Sequence, residues 1–279
     1  MADLPEQLDC PQGSRRILHR IRSQVAVIEK INQRFAALTL ALLCSGCSSA
    51  GSSYNWGWYI FNPLQEKGQS NLSFLINGVW STLAVSVCAI GLSVVLGIGL
   101  ALAGLSKKSW LETFSRAYIE LFRAIPLLVL LLWVFYGLPV IIGLQMGVFV
   151  AGVVSLSLSD SAFEAEVFRA GIQSVPKGQI EAAKSLGLSW AQQMRFIVAP
   201  QAIKVIMPAL GNQFIYVVKM SSLISVIGLP ELTRMANELN VNEYRPLEIY
   251  SFLVLEYLVL IVFISWLVRK LENKLSQQG

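Results

Sequence analysis

The stretch Glu181-Ala182-Ala183-Lys184-Ser185-Leu186-Gly187-Leu188-Ser189 is a polar, helix-forming segment set between strongly apolar runs. It lies in a loop over about 169–204 that also carries Arg169, Lys177, Arg195 and Lys204. Residues 178–186 suit a helix, and Gly187 breaks it as a favoured C-terminal cap. Ser189 is placed to cap a second short helix over 190–198, and Pro200 is expected to end the loop before the next apolar run. Two short helices joined at a glycine make a rigid knob suited to a groove on a soluble partner. An ordinary structured loop is the plainer reading, and these residues alone do not choose between them. What surrounds the stretch decides the fold.

The 279 residues have a mean hydropathy of +0.58, with 54% hydrophobic and only 14% charged residues. Soluble domains carry about 25% charged residues. The shortfall, with several long apolar runs, places the chain in a membrane. Spans are expected over 74–105, 116–144 (with Pro126 and Pro139 inside or near its ends), 147–169, 203–229 and 248–268. A polar loop is expected over 232–246. Gly, Ala and Ser crowd the first of these spans, where small residues let helices pack closely in lipid.

The N-terminal part divides further. Residues 1–34 read as a basic amphipathic segment, with Ile17, Ile21, Val25, Ile28, Ile31 and Phe35 at a spacing of three or four. Residues 35–47 are apolar but short for a span. They are read as an extra span over about 35–50, followed by an outer loop at 51–73 in which Trp56, Trp58 and Tyr59 act as interfacial anchors. With six spans and the N-terminus inside, eighteen Lys and Arg residues fall on the cytoplasmic side and three outside. That asymmetry satisfies the positive-inside rule, puts both termini and the 181–189 stretch in the cytoplasm, and is the main support for the extra span. The fold class is therefore an all-α polytopic membrane helix bundle, five core spans plus one N-terminal span, in contact with membrane lipid and with no call for nucleic acid to explain the net charge of +5.

Catalytic and metal chemistry find little support. Cys44 and Cys47 form a CxxC at the end of an apolar run, but no second pair exists and His19 is the only histidine. The ligand count excludes zinc, haem and iron–sulfur sites, so no cofactor is expected. No G-x-x-x-x-G-K-[ST] phosphate loop occurs, so any ATP is bound by another subunit.

Ionisable residues inside spans are costly and default to a pathway or a buried pair. Asp160 lies roughly 20 Å into a hydrocarbon core about 30 Å thick, counting about 1.5 Å per residue from Gly147. Glu164, four residues on, shares its helix face. One reading is a negative lining that favours a cationic substrate; the other is pairing with Lys219 or Lys204, or a place at the cytoplasmic water boundary. Asn212, Tyr216 and Lys219 recur at helical spacing and suit one cavity, with Ser222 following; helix packing competes for each. Glu166 with Arg169, and Glu120 with Arg123, stand three apart and are expected to form structural pairs. Glu256 needs a partner, for which Lys219 is a candidate.

The run from Gly178 to Ile197 with Pro200-Gln201-Ala202 resembles the signature loop of inner-membrane permease subunits of ATP-binding-cassette importers. More narrowly, the chain resembles polar amino acid permeases of the histidine, glutamine and glutamate type. The likeness runs through Asn77-Gly78, Thr82-Leu83, Tyr118, Glu120, Arg123, Pro126, Ala162-Phe163, Glu166, Arg169, Pro208, Leu210-Gly211-Asn212, Lys219, Ser222-Leu223, Gly228 and Glu231-Leu232. It covers about 74–272, which it implies is a permease domain with a cytoplasmic coupling loop at about 170–204, leaving 273–279 as a tail. It implies import by alternating access, driven by a separate ATP-binding subunit, with a second permease copy or paralogue and an extracytoplasmic solute-binding protein as further partners, in a bacterial inner membrane. Glu181, Ala182, Ala183, Gly187 and Leu188 would form the contact with the ATPase. Asp160 and Glu164 depart from the family, which more often has small or apolar residues there. An integral membrane enzyme using Asp160, Glu164 and Glu166, or an ion channel lined by them, are the alternatives.

Overall fold

The computed structural model describes residues 54–276, and the expected amphipathic segment at 1–34 and extra span at 35–50 lie outside them. Among the described residues there is no strand. After a 3-10 turn at Trp58–Phe61, eight helices follow: α1 (Glu66–Gly104), α2 (Ser109–Ala124), α3 (Leu127–Ile142), α4 (Val148–Gln173), α5 (Lys177–Ser185), α6 (Trp190–Ile227), α7 (Leu232–Glu243) and α8 (Pro246–Ser276). Four of them (α1, α4, α6 and α8) are long and apolar enough to cross a membrane, and a fifth crossing results if α2 and α3 count together.

Three expectations are corrected. Residues 116–144 do not form one straight span, because α2 and α3 meet at a bend of 100°. Pro126 has no N–H to continue the ladder and forces the preceding residue out of helical geometry; Ile125 sits at φ −85°, ψ 124°. Residues 232–246 are not a loop. Leu232, Ala236 and Leu239 recur at i, i+4 and i+7 and are buried, which makes 232–243 the helix α7, started by the Glu231 side chain accepting from the Arg234 N–H at 2.7 Å. Third, the stretch expected as a loop over 51–73 is helical from Glu66, where α1 begins.

α1 and α4 form the centre and share the most extensive helix contact. Small residues bring them together: Ser157 of α4 donates to the Ala89 carbonyl of α1 at 3.0 Å. One apolar cluster joins α1, α6, α7 and α8 through Leu75, Val218, Leu232, Leu239 and Ile249. A second joins α1, α3, α4 and α6 through Val85, Leu131, Ala151, Val217 and Ile224. By contrast, α8 shows much of its length outward, with Val254, Leu258, Val262, Phe263 and Trp266 exposed, as a helix does when it faces lipid or another chain.

Candidate functional site

Two regions carry the residues singled out from the sequence. In the first, α5 ends in a Schellman motif. The Gly187 N–H bonds the Lys184 carbonyl at 2.9 Å, the Leu188 N–H bonds the Ala183 carbonyl at 3.1 Å, and Gly187 takes φ +75°. Ala183 is buried and Leu188 half-buried beneath this turn, while Glu181, Ala182 and Gly187 are exposed. Leu186 and Trp190 stand out beside them at 80% and 66% exposure.

Ser189 then caps α6 reciprocally: its N–H donates to Gln192 Oε1 at 2.8 Å, and its hydroxyl accepts from the Gln192 N–H. The chain does not stop at Pro200, as expected for a separate second helix. A π turn at Met194–Val198 carries the helix straight into the following span, and Pro200 sits in the first turn of the α-helical part, where a missing N–H is tolerated. α5 is fixed to this helix by Ile180, packed against Val198, Ala202 and their neighbours, and by Gln201, whose Nε2 donates to Gln179 Oε1 at 2.5 Å and to the Ile197 carbonyl at 2.8 Å.

At the root of the loop, Arg169 Nη2 lies 2.6 Å from Glu166 Oε2. Glu120 and Arg123, expected as a pair, form no ion pair. The Arg123 guanidinium lies over the Phe163 ring of α4 instead, 5.2 Å from its centroid, because α2 crosses α4 there and an aromatic face competes with a solvated carboxylate. Glu120, Arg123, Glu166 and Arg169 all border one cleft between α2 and α4.

The second region is polar and lies inside the bundle. Asp160 and Glu164 project from α4 toward α1 and α6. Asp160 Oδ2 accepts from the Ser93 hydroxyl of α1 at 2.7 Å, and Oδ1 accepts from Gln213 Nε2 of α6. Glu164 is 0% exposed, and beside Asp160 and Ser93 neither of its oxygens makes a hydrogen bond of normal geometry. Its backbone-proximal carbons rest on Gly97 of α1, where an added Cβ would come within 2.9 Å of the Glu164 Cβ. The lysine pairing is thus overturned: Lys204 and Lys219 are exposed and form no ion pair with either carboxylate. Lys219 does not pair with Glu256 either, whose buried oxygens have no partner.

The pathway candidates divide in two, Asp160 and Glu164 inside the bundle and the expected cavity set apart from them. Asn212, Tyr216 and Lys219 share an exposed face of α6, away from the carboxylates. Ser222 continues that face, its hydroxyl donating to the Lys219 carbonyl at 2.7 Å, and Lys219 and Ser222 border an open groove with Thr233 and Tyr257. Ser93 and Gln213, the residues that hold Asp160, were not singled out from the sequence. A face count along α6 would have found Gln213: Ile206, Leu210, Gln213 and Val217 fall at intervals of four, three and four on the inward face, with Ile206 and Val217 buried, and Asn212 does not. No signal marks Ser93 among the many small residues of α1. Among the described residues no cluster of His, Cys, Asp and Glu suits a metal.

The geometry thus consists of a surface knob rooted on a spanning helix and a buried acidic site between three helices. Against known proteins, the model of a family described as binding-protein-dependent transport system inner membrane component matches residues 93–277. A probable glutamine ABC transporter permease protein, GlnM, of Bacillus subtilis (strain 168) is 41% identical over 207 residues, 74% of this chain and 95% of the relative. The arginine transport system permease protein ArtQ of the same organism is 36% identical, over 74% of this chain and 94% of the relative. Among solved structures, a chain from a crystal structure of an amino acid ABC transporter with histidines is 39% identical, with a TM-score of 0.69 over 74% of this chain and 96% of its own length.

Proposed function

The chain belongs to the family of binding-protein-dependent transport system inner membrane components, a multi-pass permease subunit rather than the ATP-hydrolysing one, and from that premise we propose that it imports polar amino acids by alternating access. The observation that carries the coupling half of this reading is the rigid α5–Gly187–α6 knob. Glu181, Ala182, Ala183, Gly187 and Leu188 would seat it on the ATP-binding subunit, which supplies the ATP chemistry. Glu181 gives the polar contact, Ala182 permits close approach, and the left-handed Gly187 sets the turn. A second permease copy or paralogue completes the pathway, an extracytoplasmic solute-binding protein delivers substrate, and both termini lie in the cytoplasm. Asp160, Glu164, Asn212, Tyr216, Lys219 and Ser222 are the pathway candidates, and Glu166 with Arg169 orients the loop. The enzyme and channel alternatives leave the knob without a task, and relatives named as glutamine and arginine permeases support the transport reading over both.

Co-purification with the ATPase tests the coupling. Glu181→Lys should abolish recovery of the ATP-binding subunit while leaving the permease in the membrane. Unchanged uptake of labelled amino acids by cells lacking any partner ATPase would refute the reading.

A further inference from the structure

We propose that Glu164, with Asp160 beside it, is the counter-charge for the cationic side chain of an amino-acid substrate, so that this permease prefers basic amino acids over neutral and acidic ones. The inference rests on the polar amino acid reading above and names the substrate class within it. A carboxyl group with no exposure, a second carboxyl group beside it and no hydrogen bond of normal geometry is a cost to the closed bundle; an apolar side chain of similar size would fill the same space without the desolvation. Asp160 differs, since Ser93 and Gln213 occupy one of its oxygens each and hold it in place. The pair is therefore one positioned carboxylate and one unfilled acceptor, four residues apart on the same face of α4.

The groups packed against this face are Ser93 and Gly97 of α1 and Gln213 of α6. From α2, the Tyr118 hydroxyl is taken up by Ser161 at 2.9 Å and lies 3.2 Å from the Leu158 carbonyl. No lysine or arginine of the described residues pairs with the site from within. An ammonium or guanidinium group brings several N–H donors to carboxyl oxygens and satisfies what the chain leaves open; an acidic side chain would add a third carboxyl group and no donor of that kind. The small side of α1 at Gly97 is where the helices must part to admit it.

The test uses the full chain purified with its ATP-binding subunit, without the binding protein, so that upstream selection plays no part. Equilibrium binding of labelled arginine, glutamine and glutamate is measured for the wild type, Glu164→Gln, Glu164→Asp and Glu256→Gln. Arginine should bind best. Glu164→Gln should weaken arginine by about tenfold or more and leave glutamine within about twofold, while Glu164→Asp keeps the preference for arginine. Glu256→Gln, which removes the other unpartnered carboxylate, should change neither. Equal binding of arginine and glutamine by the wild type, or arginine affinity unmoved in Glu164→Gln, overturns the proposal while amino-acid import stands. Binding of no amino acid by a complex that, supplied with its solute-binding protein, also imports none in liposomes overturns both. If Glu164→Gln fails to assemble, the wild-type preference and Glu164→Asp still decide.

Discussion

Gly187 takes φ +75° with open space where a Cβ would stand, so substitution there is a question of backbone conformation alone. A non-glycine residue in the left-handed region costs roughly 1–2 kcal/mol, and β-branched residues are the least suited. Gly187→Val should therefore loosen the turn that carries Leu186 and Leu188 and reduce recovery of the ATPase, whereas Gly187→Asn, which tolerates this region, should retain most of it. Gly97 poses the opposite problem. Its conformation is ordinary, but a Cβ would lie 2.9 Å from the Glu164 Cβ and 3.3 Å from the Ala165 nitrogen. Overpacking of this kind costs roughly 1–3 kcal/mol, against a helix-propensity gain of about 1 kcal/mol for alanine. Gly97→Ala should lower the thermal unfolding midpoint in detergent. Gly91→Ala, on the same helix with nothing within 4 Å, should leave it unchanged or raise it.

At the scale of elements, Ser189 joins the knob to the spanning helix through its capping box. Ser189→Ala should cost about 1 kcal/mol, read as roughly fivefold faster hydrogen exchange confined to the first turn of α6. Most of the element pattern was legible because spans are written as long apolar runs, and Ser189, Gly187 and Pro126 punctuate them by local rules. What was not legible depended on what a local signal does in context. Pro126 was seen, yet whether a proline kinks a span or turns it by 100° depends on the packing of α2 and α3, which no local rule gives. Pro200 looked like a stop because a π turn, with its longer hydrogen-bond ring, leaves no compositional mark. The buried site was half legible. Asp160 and Glu164 declared themselves as charges in an apolar run, but their partners are a serine and a glutamine on other helices, and the lysines that seemed suited by charge lie on the other side of α6.

For the whole molecule, the positive-inside asymmetry predicts which ends face which compartment. Leu64, 91% exposed before α1, and Leu186, 80% exposed in the knob, are suited to test it. In a chain with its native cysteines, including Cys88, replaced, Leu64→Cys should react with a membrane-impermeant maleimide in intact spheroplasts. Leu186→Cys should react only in inverted vesicles. Reaction of both from one side would place an odd number of crossings between them in error.

The unbroken course of α6 has a mechanical meaning. From Trp190 to Ile227 it is one continuous helix of 38 residues, roughly 55 Å at helical rise, with a π turn at Met194–Val198 and Pro208 within it but no loop between the knob and the span. Under the coupling proposed above, a thrust on Trp190 would pass along this helix rather than through a loop. On the other side of Gly187, α5 is tied back to the same helix by the Gln179–Gln201 contact. Gln213 stands partway along it, holding Asp160, so a displacement of about an ångström passed on from the Trp190 end would be enough to pull a hydrogen bond at the buried carboxylates out of range.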